Sequence, residues 1–267
     1  MRSNSANTEK VAEAFTQARL NIEKISEYPG DVPQTLEEAY AIQDAAIKRW
    51  PHKIAGWKIG GIGGELAVKF NETKLAGPVY ENQIYYSESA RLDMPVFADG
   101  FAAIEPEIVM FVKSDAPADK LDYTMEEAQA YVGAVHIGVE IASSPFPEIN
   151  NMGALVTISD FGNNNGLIVG PEITNYDETQ LGNWDVETII NGKSMGVTSP
   201  PGPLVSFRFV LQNAARRGMP LKKGMAITTG AITGVHQAYS GDTSEIKCTG
   251  VADINLALVP ETHQPQS

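Results

Sequence analysis

The sequence contains few residues that cross-link a chain or bind a soft metal, because Cys248 is its only cysteine. A single cysteine excludes both an intrachain disulfide and a thiolate metal cluster. Long apolar segments are missing as well. No run reaches the length of a membrane span, and the start of the chain lacks the apolar core of a signal peptide. These absences predict a soluble, cytoplasmic protein without a membrane partner.

Positive charge is also scarce, since 20 lysines and arginines stand against 33 aspartates and glutamates, which gives a net charge of -13. This balance argues against nucleic acid or an anionic membrane as the main partner. It does not exclude a small anionic substrate, because a bound cation can reverse the local field. With 267 residues, of which 43% are hydrophobic, the chain is expected to form one large domain with at most a small appendage.

The N-terminal part of the chain shows helical periodicity. Apolar residues recur at helical spacing through residues 8–28, and Ile25 is the last of them. The sequence Thr-Leu-Glu-Glu that begins at Thr35 is typical of a capping box and predicts a second helix extending to about Trp50. Because about 50 residues bury little apolar surface alone, residues 1–52 are predicted to be a helical accessory portion.

The remainder of the chain is rich in strand signals. Apolar runs predict strands at 54–61, 104–112, 132–142, 167–170, 226–234, 244–249 and 251–259. Asn191-Gly192 separates two further strands and is typical of a hairpin turn, and a helix is predicted from about Pro203 to Arg217. This content predicts an α+β protein with a mixed or antiparallel sheet. Residues 53–260 would form a β-rich catalytic domain, and 261–267 a disordered tail.

Two glutamates on the strand at 104–112 are the most informative residues. With a side-chain period of two, Glu105 and Glu107 share one face, and Glu140 interrupts a second core-like strand. Buried carboxylates repel one another unless a cation or a shared proton compensates. From spacing alone two simpler interpretations stay open, namely a strand end whose glutamates reach solvent, and structural ion pairs.

Lys58 lies within a glycine-flanked strand. A lysine in that position either extends to the surface or is held near a site as a cation or acid–base group. The glycine-rich run at 60–64 does not indicate a dinucleotide-binding motif, because the third glycine at the required spacing and a βαβ unit are missing.

Three glutamates without a Cys/His cluster suit a hard divalent cation such as Mg²⁺ or Mn²⁺. Such an ion keeps coordination positions open, and a 2-oxo acid can fill two of them with its carboxylate and keto oxygens. The ion would then act as a Lewis acid on the substrate. This chemistry predicts a small 2-oxo acid as substrate, with Lys58 neutralising its carboxylate or transferring a proton.

Several segments, in order along most of the chain, carry a resemblance to a known family. They are GWKIG at 56–60, GPVYEN at 77–82, EPEIVMFV at 105–112, GVEIASS at 138–144, SDFGNNNGLIVG at 159–170, TTGAITG at 228–234 and GDTSEIKCTGVADINLAL at 241–258. On these segments the sequence resembles the fumarylacetoacetate hydrolase superfamily, within the branch of 2-keto-4-pentenoate hydratase and 4-oxalocrotonate decarboxylase. The resemblance implies a mixed β-roll or sandwich of the fumarylacetoacetate hydrolase C-terminal type.

The resemblance also implies roles for individual residues. It implies that Glu105, Glu107 and Glu140 bind Mg²⁺ or Mn²⁺, and that Lys58 is the active-site lysine. Asp160 falls in the polar loop where similar proteins carry an aspartate, so we expect it to orient a group or exchange a proton. The expected substrate-binding residues are Gly60, Pro78, Ser143, Asn164 and Thr233.

By resemblance, the expected function is that of a Mg²⁺-dependent lyase that hydrates a 2-hydroxy-2,4-dienoate in aromatic-ring degradation. Two alternatives keep the metal and change the reaction: decarboxylation of a 4-oxalocrotonate-like acid, and hydrolysis of a C–C bond in an acylpyruvate. The expected assembly is a homo-oligomer or a complex with a related decarboxylase or hydratase.

Two segments depart from that branch. Hydratases commonly carry an acidic residue just before the segment matched here by Gly77-Pro78, whereas this chain has Lys74-Leu75-Ala76. The motif of the third glutamate usually continues with an Asp-Ser-Arg-like segment, whereas this chain has Ile141-Ala142-Ser143-Ser144-Pro145. These departures leave open a non-catalytic hypothesis, in which the protein binds metal and supports a partner enzyme without turnover of its own.

Overall fold

Two β-sheets form the body of the protein in the computed structural model, which describes residues 2–87 and 90–263. The strands are, in chain order, β1 (Ile54–Gly61), β2 (Lys74–Tyr80), β3 (Ile84–Tyr86), β4 (Leu92–Val96), β5 (Phe101–Val112), β6 (Val132–Ser144), β7 (Asn164–Glu172), β8 (Val186–Ile190), β9 (Lys193–Thr198), β10 (Ala226–Thr228), β11 (His236–Gln237), β12 (Thr243–Cys248) and β13 (Ile254–Pro260).

The larger sheet has the order β2-β1-β10-β5-β6-β7-β3, and β11 pairs with β5. The smaller sheet has the order β4-β13-β12-β8-β9. Most neighbours are antiparallel, but β1–β10, β3–β7 and β4–β13 are parallel pairs. The prediction of an α+β protein with a mixed sheet is therefore confirmed.

Six α-helices accompany the sheets in the described part of the chain. They are α1 (Arg2–Asn21), α2 (Leu36–Arg49), α3 (Gly64–Phe70), α4 (Met125–Gln129), α5 (Ala154–Ser159) and α6 (Pro203–Arg216). Thr35 caps α2 as predicted, with its side chain accepting a hydrogen bond from the Glu38 backbone N–H. None of the helices in these two ranges is both long and apolar enough to cross a bilayer.

The first helix ends earlier than predicted. Ile22 has a φ of 56°, and the Glu23 N–H donates to the Ala18 carbonyl at 2.9 Å, so a left-handed residue closes the helix. Ile25 lies beyond this end, and its N–H donates to the Pro145 carbonyl at 3.0 Å instead of continuing the helix. The prediction of a helix that continues through residue 28 is therefore wrong beyond Asn21.

A second difference concerns the strand predicted at 226–234. Only Ala226–Thr228 pair as β10, and the chain then leaves the sheet at Gly230, whose φ is 105°. The Gly230 N–H donates to a Glu107 carboxylate oxygen at 2.6 Å instead of to a neighbouring strand. This segment is a loop beside the glutamates, and its β-branched composition misled the strand prediction.

The main hydrophobic core lies between the two sheets and α6. Leu204, Phe207, Val210 and Leu211 of α6 are buried in it. A second cluster joins the N-terminal helices to the larger sheet and includes Phe15, Ile42, Phe146 and Phe161. The helices of residues 1–52 therefore share a core with the β-rich region that contains the glutamates.

The end of the described chain is anchored where a disordered tail was predicted to start. The Glu261 N–H donates to the Val96 carbonyl at 2.8 Å, and Asn165 Nδ2 donates to the Glu261 side chain at 3.1 Å. Residues 264–267 of the predicted tail lie outside the described residues.

Candidate active site

Three glutamates converge on one face of the larger sheet. Glu105 and Glu107 alternate along β5, and the antiparallel register places Glu105 directly opposite Glu140 of β6. All three side chains are buried, and one carboxylate oxygen of each lies within 4.8 Å of the others. The interpretation of a solvated strand end is excluded by this burial.

Lys58 of β1 is the cation that faces this glutamate cluster. Its Nζ lies 3.0 Å from Glu140 Oε1 and donates to the Gly162 carbonyl at 3.0 Å. The side chain is buried, so the alternative in which Lys58 extends to the surface does not hold. Three carboxylates and one ammonium therefore share one desolvated space.

Burial and mutual repulsion favour the neutral forms of two glutamates. Burial raises the pKa of Glu105 to about 7, against the attraction of Lys58 and with a contribution from Glu140. Burial, followed by repulsion from Glu140 and Glu105, raises the pKa of Glu107 well above its ordinary value. Burial opposes the charge of Lys58, but the attraction of Glu140, Glu105 and Glu107 outweighs it and raises the pKa of that lysine.

Two fully buried carboxylate oxygens of the cluster accept no hydrogen bond from the described residues. Glu107 Oε2 accepts from the Gly230 N–H at 2.6 Å, and Glu140 Oε1 accepts from Asn164 Nδ2 at 3.1 Å. The other oxygens, Glu107 Oε1 and Glu140 Oε2, are buried without a partner in the same part of the chain. Such oxygens are costly to bury. A divalent cation with a preference for oxygen ligands fits them, and Glu105, Glu107 and Glu140 would hold it.

The loop that follows α5 contacts the cluster from behind. It runs from Asp160 to Asn164, and the close approach of two glycines seats it against β2. A Cβ on Gly77 would lie 2.1 Å from the Phe161 carbonyl oxygen, and one on Gly162 would lie 2.9 Å from the Gly77 Cα. Only glycine at these positions lets the Gly162 carbonyl reach Lys58.

Asp160, predicted as catalytic, is bound on two sides by protein groups. Its carboxylate accepts from Arg19 Nε at 2.5 Å, from Arg19 Nη2 at 2.9 Å and from Ser144 Oγ at 2.6 Å. Both side chains of the ion pair are buried, with 1% and 0% of their surface exposed. The structure therefore separates Asp160 from solvent and connects it to the N-terminal helix.

Arg19 was not predicted as a site residue, although its position in the sequence carries a signal. Val11 and Phe15 belong to the buried face of α1, and Arg19 continues that face four residues after Phe15. An arginine at a core-facing helical position indicates a buried partner of opposite charge.

The remaining predicted residues fall into two groups. Gly60 lines a cavity beside the cluster, and Asn164 contacts Glu140. Ser143 instead binds the backbone of Phe101 and Phe97, and Thr233 contacts Thr188 and His236. Pro78 is buried in β2 opposite Trp57. The structure thus brings two of the five beside the glutamates and Lys58.

The cavity has a volume of about 590 Å³ and opens next to Glu105 and Lys58. Asn163, Gly230 and Lys74 also line it. Lys74 was noted in the sequence only as a departure, yet it is half-buried here, and burial lowers its pKa. The cavity therefore has two lysines in its wall, which favours an anionic ligand.

Comparisons with known proteins identify the family to which the chain belongs. No curated protein sequence matches the chain. Among solved structures, 4-oxalocrotonate decarboxylase from Pseudomonas putida G7, complexed with magnesium and adipate, is similar with a TM-score of 0.78 and 20% identity. The similarity covers 96% of this chain and 98% of that one. The same enzyme with calcium and acetate gives a TM-score of 0.77 and 21% identity over the same shares of each chain.

A more distant structure is fumarylpyruvate hydrolase from Pseudomonas aeruginosa in complex with Mn²⁺ and pyruvate, with a TM-score of 0.57 and 13% identity. It covers 79% of this chain and 91% of that one. At these identities the structural matches establish the fold. The family model described as fumarylacetoacetate (FAA) hydrolase C-terminal matches residues 79–259, a range that contains all three glutamates. The chain therefore belongs to the fumarylacetoacetate hydrolase C-terminal family.

Proposed function

We propose that the protein is a Mg²⁺- or Mn²⁺-dependent lyase that acts on a short 2-oxo acid. The observation that carries this proposal is the buried glutamate cluster, with two unpartnered carboxylate oxygens beside a cavity that contains two lysines. Structures with the same fold hold magnesium with adipate and Mn²⁺ with pyruvate, which supports a divalent ion and a carboxylic acid ligand.

When bound, the divalent ion supplies Lewis acidity that polarises the 2-oxo group and stabilises negative charge on its oxygen. The protein's own groups orient the components. Asn164 fixes one oxygen of Glu140, and the Gly230 N–H fixes one oxygen of Glu107. Lys58, protonated on Nζ and shielded from water, neutralises the substrate carboxylate at the cavity wall.

Two lyase reactions are candidates for this site. Hydration of a 2-hydroxy-2,4-dienoate is the first candidate, from the resemblance in the sequence. Decarboxylation of a 4-oxalocrotonate-like acid is the second, and the similarity to 4-oxalocrotonate decarboxylase over nearly the whole chain supports it. Hydrolysis of an acylpyruvate has less support, because no histidine of the described residues lines the cavity to activate water.

The assembly is proposed to be a homo-oligomer, or a complex with a related decarboxylase or hydratase. Light scattering of the purified protein tests the first arrangement. Co-purification with a second enzyme tests the other.

The metal part of the proposal is tested by thermal unfolding of chelator-treated protein with and without Mg²⁺ or Mn²⁺. A ligand that binds only the folded state at 100 times its Kd stabilises it by about 2.7 kcal/mol, so the midpoint should rise. Glu107→Gln should abolish that rise, because it removes a charged ligand from the cluster. Glu126→Gln, on the exposed surface of α4, is the matched control and should keep it.

The reaction is tested by incubating the protein and Mg²⁺ with a panel of 2-oxo acids and dienoates. Release of CO₂ identifies a decarboxylase, and loss of diene absorbance without CO₂ identifies a hydratase. If no acid is turned over and the protein binds a second enzyme tightly, the catalytic proposal is rejected in favour of a supporting subunit.

A further inference from the structure

The loop from Asp160 to Asn164 has an unusual backbone. Phe161, Gly162 and Asn163 have φ angles of 52°, 66° and 65°, so three successive residues are left-handed. Glycine adopts this conformation readily and asparagine tolerates it, but for phenylalanine it is unfavourable. A conformation of this kind persists only where the surrounding structure over-determines it.

Arg19 holds both ends of this loop with one guanidinium group. At the first end it forms the paired hydrogen bonds to the Asp160 carboxylate. At the other end, Nη1 donates to the Asn164 carbonyl at 3.1 Å and to Asn165 Oδ1 at 3.2 Å. Nη2 also donates to the Ser143 carbonyl at 2.9 Å. The planar, forked guanidinium is suited to such fixed geometry, and a lysine ammonium is not.

The side chain of Phe161 is fixed from the same direction. The Arg19 guanidinium carbon lies 5.4 Å from its ring centroid, and the rings of Trp50 and Tyr80 lie at 5.3 Å. Arg19 belongs to α1, and Trp50 follows α2. The N-terminal helices therefore cover the back of the loop and restrain its least favourable residue.

The front of the loop contacts the glutamate cluster at two points. The Gly162 carbonyl accepts from Lys58 Nζ, and Asn164 Nδ2 donates to Glu140 Oε1. Arg19 and Asp160 themselves are buried behind the loop and do not line the cavity. Their connection to the site therefore runs through the loop residues Gly162, Asn163 and Asn164.

We propose that Arg19 and Asp160 are positioning residues, which hold the left-handed loop so that Lys58 and Glu140 keep their places in the site. The proposal assigns Asp160 an orienting role and no proton exchange with the substrate. It rests on the proposed function, since the site it organises is the divalent-metal site. It also makes the N-terminal helices part of the site, because they supply the arginine.

The experiment compares Asp160→Asn, Arg19→Met, Arg19→Lys and Arg19→Ala in the full-length protein, and Arg19→Ala serves for rescue by added guanidinium. Arg49→Met is the matched control, because Arg49 lies in α2 and pairs with Glu9 of α1 without contacting the loop. Mn²⁺ affinity is measured by electron paramagnetic resonance on chelator-treated protein, well below its melting temperature. Residues that orient metal ligands typically change metal affinity by about 10- to 100-fold. Asp160→Asn and Arg19→Met should therefore weaken Mn²⁺ binding at least about tenfold.

Three further readouts separate positioning from general stabilisation. Arg19→Lys keeps the charge but loses the fork, so it should bind Mn²⁺ more tightly than Arg19→Met and less tightly than wild type. Millimolar guanidinium, far below denaturing concentrations, should tighten Mn²⁺ binding by Arg19→Ala and leave Arg49→Met unchanged. The pH profile of kcat in Asp160→Asn should keep both of its arms at the same pH values as in the wild type, because an orienting residue does not titrate in the reaction.

Wild-type Mn²⁺ affinity in folded Asp160→Asn overturns the proposal, and so does an equal loss in Arg49→Met. Should Arg19→Met fail to fold, the more conservative Asp160→Asn decides alone. If the wild type binds Mn²⁺ but turns over no 2-oxo acid, the proposed reaction is rejected while the affinity series still decides the role of Arg19. Absence of Mn²⁺ binding in the wild type rejects both.

Discussion

Within residues 2–87 and 90–263, two groups of buried charges differ in their balance. The Arg19–Asp160 pair has one cation and one anion, and the carboxylate accepts hydrogen bonds on both oxygens. The glutamate cluster, with Lys58 beside it, has three carboxylates for one ammonium and leaves two fully buried oxygens without a partner among the described residues. The two groups are linked by one loop, from Asp160 to Asn164.

The difference indicates what each group is for. A balanced and fully hydrogen-bonded pair needs nothing from outside the chain, so its contribution is to conformation. An unbalanced cluster is stable only with a bound cation or retained protons, and such perturbed groups are typical of functional sites. Charge balance thus separates the structural pair from the ligand-binding cluster, although both are equally buried.

The largest effect is expected from breaking the balanced pair. Asp160→Ala leaves the Arg19 guanidinium buried without its carboxylate, and loss of one partner of a buried pair typically costs about 3–5 kcal/mol. Urea unfolding monitored by circular dichroism should show that loss in metal-free protein. A change below about 1 kcal/mol would mean that water replaces the carboxylate, which contradicts a closed, balanced pair.

A smaller, pH-dependent effect is expected from the unbalanced cluster. Glu105 has a pKa of about 7 in the folded protein and 4.5 in an unfolded chain. Between these values the unfolded chain has released the proton that the folded protein retains, so stability falls as pH rises. Over this window the loss amounts to about 3 kcal/mol, and the raised pKa of Glu107 acts in the same direction.

This prediction is measured as the urea-unfolding free energy of chelator-treated protein at pH 5 and pH 7.5. Glu105→Gln should show a weaker pH dependence than the wild type, because it loses the contribution of Glu105 and keeps that of Glu107. Glu126→Gln should keep it. An identical pH dependence in wild type and Glu105→Gln would show that the cluster is hydrated in solution.

The smallest effect is expected at an exposed pair between the same N-terminal helices. Arg49 and Glu9 form an ion pair with 34% and 53% of their side-chain surfaces exposed. Exposed pairs contribute little, so Arg49→Ala should change the unfolding free energy by no more than about 0.5 kcal/mol. A loss comparable to that of Asp160→Ala would show that burial does not distinguish the two pairs.

The sequence predicted those parts of the fold whose signals are local. Strand periodicity placed Glu105 and Glu107 on one face, Thr35 marked the start of α2, and Asn191-Gly192 forms the predicted hairpin between β8 and β9. Helix α3 was not predicted, because its seven residues are too few to show a clear helical periodicity, and Leu66, Ala67 and Phe70 are only partly buried against their neighbours.

The partners of the site residues could not be predicted from such signals. Asp160 was identified through its loop, but the Arg19 that binds it lies 141 residues away in the chain. The loop at 229–234 has the composition of a strand, and its departure from the sheet depends on the Glu107 carboxylate that accepts from Gly230. Composition and periodicity carry no information on which distant residues meet.

The long sequence separation of these contacts has a consequence for biosynthesis. Glu140 precedes Gly230, the backbone partner of Glu107, by 90 residues, which a ribosome adds in roughly 5–20 s. During that interval the three glutamates have been synthesised but the loop that closes over Glu107 has not. We therefore expect divalent ions in the surrounding solution to reach the nascent β5–β6 hairpin before its carboxylates are enclosed.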